Sequence, residues 1–386
     1  MLEQHIAVFG ESGSGKTVLI SSFYGSEQEP ENARAGAYNV VAENPSQGTQ
    51  LHQNYLGMKK SGVAPEPTRF SSTDYRFLLR LKGSAEGGAL KSKPFDSVRL
   101  VWHDYPGEWF DQGVSGELEA GRRIETFRSL LGAHVALLMV DGQKLLDNAG
   151  EEGRYLKSLF TNFHNSLVLL RDDLLEDGKP LTAFPRIWIV ALSKADLLPD
   201  LDVNAFKELV IEKAGQEVIK LAEVLGGMVE SREALAVGED FVRISSAKFK
   251  PESIEVEESF GVDLILPMAS VLPLEQHVRW AKTGKLSRKL TLDLVGNAEV
   301  VSAALTAATP ALAKLMQKNK ATAWLALAFN QLVPQIETAL QSAHERLEAV
   351  EDASATKREN LAATLQSFRN DLTKAEADSV LVRSLR

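Results

Sequence analysis

The sequence predicts a three-layer α/β fold: a mostly parallel six-stranded sheet with helices on both faces, followed by an all-α C-terminal region. Three observations predict it. Over roughly the first 280 residues, short β-rich runs alternate with longer helical patterns, the order that a parallel sheet with crossover helices produces. Several of those runs are continuously apolar, as strands covered on both faces are. Beyond about residue 285 the strand signals stop and only helical periodicity remains. The chain has 386 residues, 44% hydrophobic and 25% charged, with no long biased tract, so it has the length and composition for a layered core.

The first strand, "HIAVF" at 5 to 9, has no positive leader or small-residue cleavage site before it, and no export signal is expected. A helical pattern follows at 16 to 24. Between Tyr24 and Asp74 the chain carries "NPSQGTQ", a short helical signal at 49 to 60, and the turn-rich "VAPEPTRFSST". A connection this long reads as an enlarged, mobile loop on the ligand face. "DYRFLLRL" at 74 to 81 and "SVRLVWH" at 97 to 103 are the next strands, with "GSAEGGALKSKPF" at 83 to 95 as a flexible hairpin tip between them. A helix at 117 to 131 leads to the strand "HVALLMV" at 134 to 140. A helix at 151 to 176 leads to "RIWIVAL" at 186 to 192, and one at 203 to 225 leads to "DFVRIS" at 240 to 245. After 260 a helical stretch is interrupted by Pro267 and Pro273.

In the tail, Val333, Ile336, Leu340, Ala343, Leu347 and Val350 recur at steps of three and four, with Pro334 suited to the first turn. After "EDASAT" the pattern resumes in Leu361, Leu365, Phe368, Leu372 and Ala375. Two readings stand: an antiparallel hairpin burying its own stripes, or a coiled coil offered to a partner. The predicted division is residues 1–282 as the α/β domain and 283–386 as this helical hairpin or coiled-coil region.

Composition removes several classes of function. The net charge of −9 argues against a broad grip on nucleic acid, and the basic stretch "RWAKTGKLSRK" at 279 to 289 reads as a solvated linker. There is no cysteine, which excludes disulfides, thiolate chemistry and thiolate-bound metals and fits a cytoplasmic location. "VVSAALTAATPALA" and "ATAWLALAFNQLV" are too short to span a bilayer, so no transmembrane segment is expected, although peripheral membrane contact stays open. The seven histidines are scattered without an H-x-x-x-H or H-x-H pair, and no G-x-S-x-G elbow occurs.

The chemistry concentrates in "GESGSGKT" at 10 to 17, which fits G-x-x-x-x-G-K-[ST] and stands between a strand and a helix. Gly10, Gly13 and Gly15 let a loop wrap a polyphosphate closely, with Ser12 and Ser14 completing the backbone cradle. Lys16 would reach the β- and γ-phosphates, and the Thr17 hydroxyl would ligate Mg²⁺. The octet alone does not choose between ATP and GTP. After "SVRLVWH" comes "DYPGEW", where Asp104 can hold magnesium through water and Gly107 can turn its amide to the γ-phosphate. After "RIWIVAL" comes "SKAD", with Ser193, Lys194 and Asp196. Guanine offers N1–H and a 2-amino group side by side, two donors for the two carboxylate oxygens of Asp196. Adenine would leave that carboxylate facing a lone pair. Lys194 would lay its stem along the purine, and the amides of Ser246, Ala247 and Lys248, in "SAK", could donate to O6. All four clusters follow predicted strands, the edge at which open parallel sheets bind ligands.

Four motifs in this order resemble the guanine-nucleotide-binding domain of the Ras-like, translation-factor-related class of P-loop GTPases, over about residues 1–280. "WHDYPGEW" and the helical tail resemble bacterial GTPases of the double-GTPase type. The resemblance implies GTP and GDP as ligands, Mg²⁺ as cofactor, and a protein effector or second G domain, self or paralogue, as partner. It also implies a switch threonine over the magnesium, for which Thr68 in "PEPTRF" is the first choice and Thr49 the second. Two positions depart from the class: Glu108 stands where a water-orienting glutamine is usual, and Ser12 where glycine is usual. Glu108 either polarises the attacking water or points away and serves structure. The expected activity is GTP hydrolysis, slow unless a group arrives in trans, with Arg34 and Arg69 as candidates in the chain itself. A nucleotide-binding scaffold without useful hydrolysis and an ATPase are the alternatives.

Overall fold

A computed structural model describes residues 2–30, 38–66, 73–81, 97–104, 107, 117–175, 178–181, 184–230, 232–250, 253–282 and 353–384. Their strands are β1 (Leu2–Phe9), β2 (Tyr38–Ala42), β3 (Thr73–Leu81), β4 (Ser97–Asp104), β5 (Val135–Asp141), β6 (Ile187–Ser193), β7 (Ala236–Arg243), β8 (Lys248–Lys250), β9 (Ser253–Glu255) and β10 (Leu381–Val382). The helices are α1 (Lys16–Glu27), α2 (Pro45–Ser61), α3 (Glu117–Leu131), α4 (Gly142–Asp147), α5 (Glu152–Leu174), α6 (Val203–Gly226), α7 (Ile265–Lys282) and α8 (Ala353–Ala377). The main sheet has the order β10-β7-β6-β5-β1-β4-β3-β2. Its five central strands, from β7 to β4, run parallel, and β3, β2 and β10 run antiparallel to their neighbours. A separate hairpin joins β8 and β9.

The two-residue period of the strands divides the core into two layers. Ile6, Val8, Leu137, Met139, Ile189 and Ala191 share one apolar cluster with residues of α1, α7 and α8. Ala7, Phe9, Leu138, Val140, Trp188 and Val190 share the other with residues of α3, α5 and α6. Every residue of β5 and β6 is buried, which is why those strands read as unbroken apolar runs. Phe9 stacks on Trp188, ring centroids 5.1 Å apart, and meets Phe163 at 5.2 Å, fixing α5 against the centre of the sheet.

The fold is the three-layer arrangement expected, with two strands added at its edges. In β2, Val40 enters the core while Asn39 and Val41 face out, and the pairing with β3 runs from Tyr38↔Leu81 to Ala42↔Phe77. β10 pairs with β7 through Leu381↔Val242 and Val382↔Phe241. The connection expected to be a mobile loop contains β2 and a 17-residue helix, α2. Asn44 caps α2 by accepting from the Ser46 and Gln47 amides, Pro45 sits at the first position, and Gly62 ends the helix at φ 60°. Helix α7 is continuous where an interruption was expected. Pro267 falls in its first turn, where an amide has no intrahelical acceptor, and the core gained by Ile265, Met268, Ala269, Leu272 and Trp280 outweighs the bond lost at Pro273.

The second apolar seam of the tail also has a different neighbour from the one expected. Leu365, Phe368, Leu372 and Ala375 of α8 are buried in the core that covers the sheet, beside α7. Residues 283–352, including the seam from Val333 to Val350, lie outside the described residues. Among the described residues no helix is long and apolar enough to cross a membrane.

Candidate functional site

Because β1, β4, β5, β6 and β7 are parallel, the loops that follow them open on one edge of the sheet, and β1 lies between β4 and β5. The loop after β1 enters α1 through Gly13 at φ 79° and Gly15 at φ 92°, left-handed conformations that a side chain would strain. Gly15 is the N-cap of α1 with no side-chain cap, the arrangement a bound anion completes. The Lys16 ammonium is buried and donates to the carbonyls of Gly10 at 2.7 Å and Glu11 at 3.1 Å, so it is held across its own loop. Gly10 and Ser14 are buried in the loop, Ser12 is exposed, and Thr17 is half-buried in the first turn of α1.

The end of β4 meets this loop directly. Asp104 is buried at the strand terminus, and Gly107 packs on the loop backbone so closely that a Cβ there would lie 2.4 Å from the Ser12 nitrogen. Only glycine fits without moving the cradle. A polar row fixes the loop from the other side. Lys144 of α4 pairs with the Glu11 carboxylate at 2.7 Å, and the Tyr155 hydroxyl, on α5, accepts from the Asp141 amide at 2.9 Å. Burial raises the Tyr155 pKa well above its ordinary value, with the Glu11 and Asp141 carboxylates adding to it, so the hydroxyl stays protonated. The Asp141 carboxylate in turn accepts from Lys194 at 2.8 Å.

At the end of β6, Ser193 donates to the Val140 carbonyl at 3.2 Å, Lys194 takes a left-handed φ of 50°, and Asp196 lies in a 3₁₀ turn, Ala195–Leu197. Ser245 donates to the Asp196 carboxylate at 2.7 Å, leaving its remaining acceptor capacity for a ligand. The turn is tied to the end of β7: the Ala195 amide donates to the Ile244 carbonyl at 3.2 Å, and Arg243 reaches the carbonyls of Ala195 and Leu198.

The loop before α1 and the segments that follow β6 and β7 enclose a cleft of about 360 Å³, within the range of small-molecule sites, and Lys16, Thr17, Asp104 and Gly107 do not line it. Gly13, Gly15 and Val18 line one part of it, Ser193, Lys194, Asp196 and Leu197 another, and Ser246 and Ala247 a third, with Gln143 and Phe249 between. Lys248 is not among the lining residues, and its ammonium pairs with Glu258 at 2.7 Å. Thr49 is exposed on α2, while Thr68, Glu108, Arg34 and Arg69 lie outside the described residues. Sequence reasoning missed Ser245, Asp141 and Glu11. Ser245 is the serine just before "SAK" and Asp141 the residue that ends β5, positions with no pattern until the loops are brought together.

Thr17 and Asp104 supply a hydroxyl and a carboxylate, hard oxygen donors that fit Mg²⁺. Among the described residues no group of three or more His, Asp or Glu side chains is placed to hold a metal alone, so a magnesium here would share phosphate oxygens and water.

By strand order, by the left-handed glycine loop between β1 and α1, and by the carboxylates ending the neighbouring strands, the three-layer α/β fold is consistent with a P-loop G domain. Among solved structures the chain is similar to the signal recognition particle receptor SRb-GTP/SRX complex from Chaetomium thermophilum, at 17% identity and a TM-score of 0.32, over 64% of this chain and 93% of that one. It is also similar to Methanosarcina barkeri Roco2 RocCORdC bound to GDP, at 14% identity and a TM-score of 0.24, over 68% of this chain and 46% of that one. No protein-family model matches the chain, and no curated protein matches it.

Proposed function

We propose that the chain is a GTP-binding switch that hydrolyses GTP to GDP and phosphate with Mg²⁺. One observation carries the choice of nucleotide: Asp196 lines the same cleft as Gly13 and Gly15 and is oriented by Ser245. A carboxylate so placed matches the paired donors of guanine and would face a lone pair on adenine. In this reading the loop amides and Lys16 bind the phosphates, and Lys194 and Ala247 position the base. Thr17 and Asp104 would hold the magnesium, which when bound neutralises charge developing on the phosphates. Hydrolysis is read from the sequence: Glu108 follows Gly107 in the chain and is the candidate to act on the attacking water, and Thr68 is the switch threonine. Turnover is slow without a group supplied in trans, by an effector or by a second G domain, and the reading places the protein in the cytoplasm.

Calorimetry with GDP, GTP and ATP tests the binding. Guanine nucleotides bind and ATP does not compete. Asp196→Asn weakens GDP by roughly 100-fold, about 2.7 kcal/mol, because a donor replaces one acceptor. The same change favours xanthosine diphosphate, whose 2-oxo group accepts from the new amide. Equal binding of ATP and GTP would sink the reading, and rapid, concentration-independent turnover by the monomer would sink its slow-hydrolysis half.

A further inference from the structure

The β8–β9 hairpin follows the "SAK" stretch and carries one feature that neither the phosphate cradle nor Asp196 explains. Phe249, in the middle of β8, is 46% exposed although it stands on an anchored support. Its register partner Ile254 is buried, and Ile254 and Val256 pack with Tyr55 and Met58 of α2. Lys59 of α2 adds an ion pair to Glu257 at 3.0 Å. Successive side chains of a strand alternate. Lys248 is turned to Glu258, outside the cleft, and Phe249 beside it lines the cleft with Asp196 and Leu197. A large aromatic ring is thus held half-open on a rigid backing at the base-recognition end of the site. A planar aromatic ligand gains most from such a ring, because stacking removes both faces from water at little cost in ordering.

Resting on the guanine-nucleotide reading, we propose that Phe249 is the stacking platform for the purine: Asp196 reads the edge of the base and Phe249 covers its face. It is a specificity residue for aromatic bases in general, whereas Asp196 distinguishes guanine among them. The hairpin also makes the platform depend on α2, since Ile254 and Val256 set the height of β8 by packing on Tyr55 and Met58.

The test compares GDP with inorganic tripolyphosphate, a ligand that has the charge and no base. Phe249→Ala weakens GDP about 10- to 100-fold, the range measured for loss of one base–aromatic stack, and leaves tripolyphosphate within about twofold. Phe249→Trp keeps GDP binding, and its added fluorescence over the unmodified chain changes with GDP but not with tripolyphosphate. Undiminished GDP binding by Phe249→Ala overturns the platform and leaves the nucleotide reading standing. Equal losses for GDP and tripolyphosphate also overturn it, since they would mark a merely structural role. An unmodified chain that binds tripolyphosphate but no GDP overturns both readings.

Discussion

Three strands are joined by polar side chains. On His5 of β1, Nδ1 meets His103 of β4 at 3.0 Å and Nε2 meets Glu3 at 2.8 Å, while His103 Nδ1 meets Asp74 of β3 at 2.8 Å. Burial holds the His5 pKa below its ordinary value of 6.5. The hydrogen bond from His103 holds Asp74 below 3.8, and the one from Arg99 holds Glu3 below 4.5. All three groups therefore bind protons more weakly folded than unfolded. Their contribution is complete above the unfolded values and is lost as pH falls through the folded ones, His5 first and the carboxylates later. The expected outcome is a melting temperature that declines as pH drops from about 7.5 to about 5.5, with His5→Gln flattening that part of the slope. A flat profile over that interval would contradict it. Single residues also show what a sequence can and cannot display. Gly15, Lys16 and Asp196 stand in sequence patterns that can be read from residue type and spacing alone. Ser245 and Asp141 are ordinary residues given their roles by a loop from another strand, 2.7 and 2.8 Å away.

Among the elements, the buried strands were legible because continuous apolar runs at β1, β5 and β6 have few other uses. α2 was legible only in part. Its apolar residues are few, with Leu51, Tyr55 and Met58 its buried large side chains, and its stability comes from caps and from docking on α1. Tyr55 lies against Gly25 of α1, where a Cβ would fall 2.1 Å from the tyrosine Cγ. Two effects oppose each other in Gly25→Ala. Helix propensity favours alanine by about 1 kcal/mol. Forcing a methyl group into the ring costs about 1–3 kcal/mol or lifts α2 away, and overpacking wins. Gly25→Ala is expected to lower the denaturant midpoint, and to cost less when made in a Tyr55→Ala background, where the ring it would strike is absent, than in the parent. A single variant as stable as the parent would show that α2 does not bear on α1 as the structure has it. The same contact explains why the segment was read as a loop: a glycine in one helix and a tyrosine 30 residues on leave no periodic trace.

At the level of the whole molecule, the last described residues close the sheet beside the turn that carries Asp196. α8 ends at Ala377, Ser379 follows it at a left-handed φ of 55°, and the chain turns back so that the Arg243 amide donates to the Val380 carbonyl at 2.9 Å and Leu381 is buried. Arg383 bridges Glu376 and Glu275, and the Ser384 amide donates to buried Asp240 at 2.6 Å. β10 was illegible because two residues carry no alternation, and because it forms only where β7 leaves an open edge, a fact about residues 140 positions away. Removing residues 379–386 exposes Leu381's site, worth about 2 kcal/mol of burial, and several hydrogen bonds at about 1 kcal/mol each. The melting temperature should fall by more than about 5 °C. The loss should also reach the cleft, because Arg243, whose amide is held by the Val380 carbonyl, carries the turn of Asp196 through the Ala195 and Leu198 carbonyls. Truncated protein at a temperature where it remains folded is therefore expected to bind GDP several-fold more weakly while keeping its affinity for tripolyphosphate. If the two ligands weaken together, the tail supports the sheet as a whole. If neither changes and the melting point is unmoved, β10 is an ornament on the edge, and the stability of the β7 end resides in α7 and α8 alone.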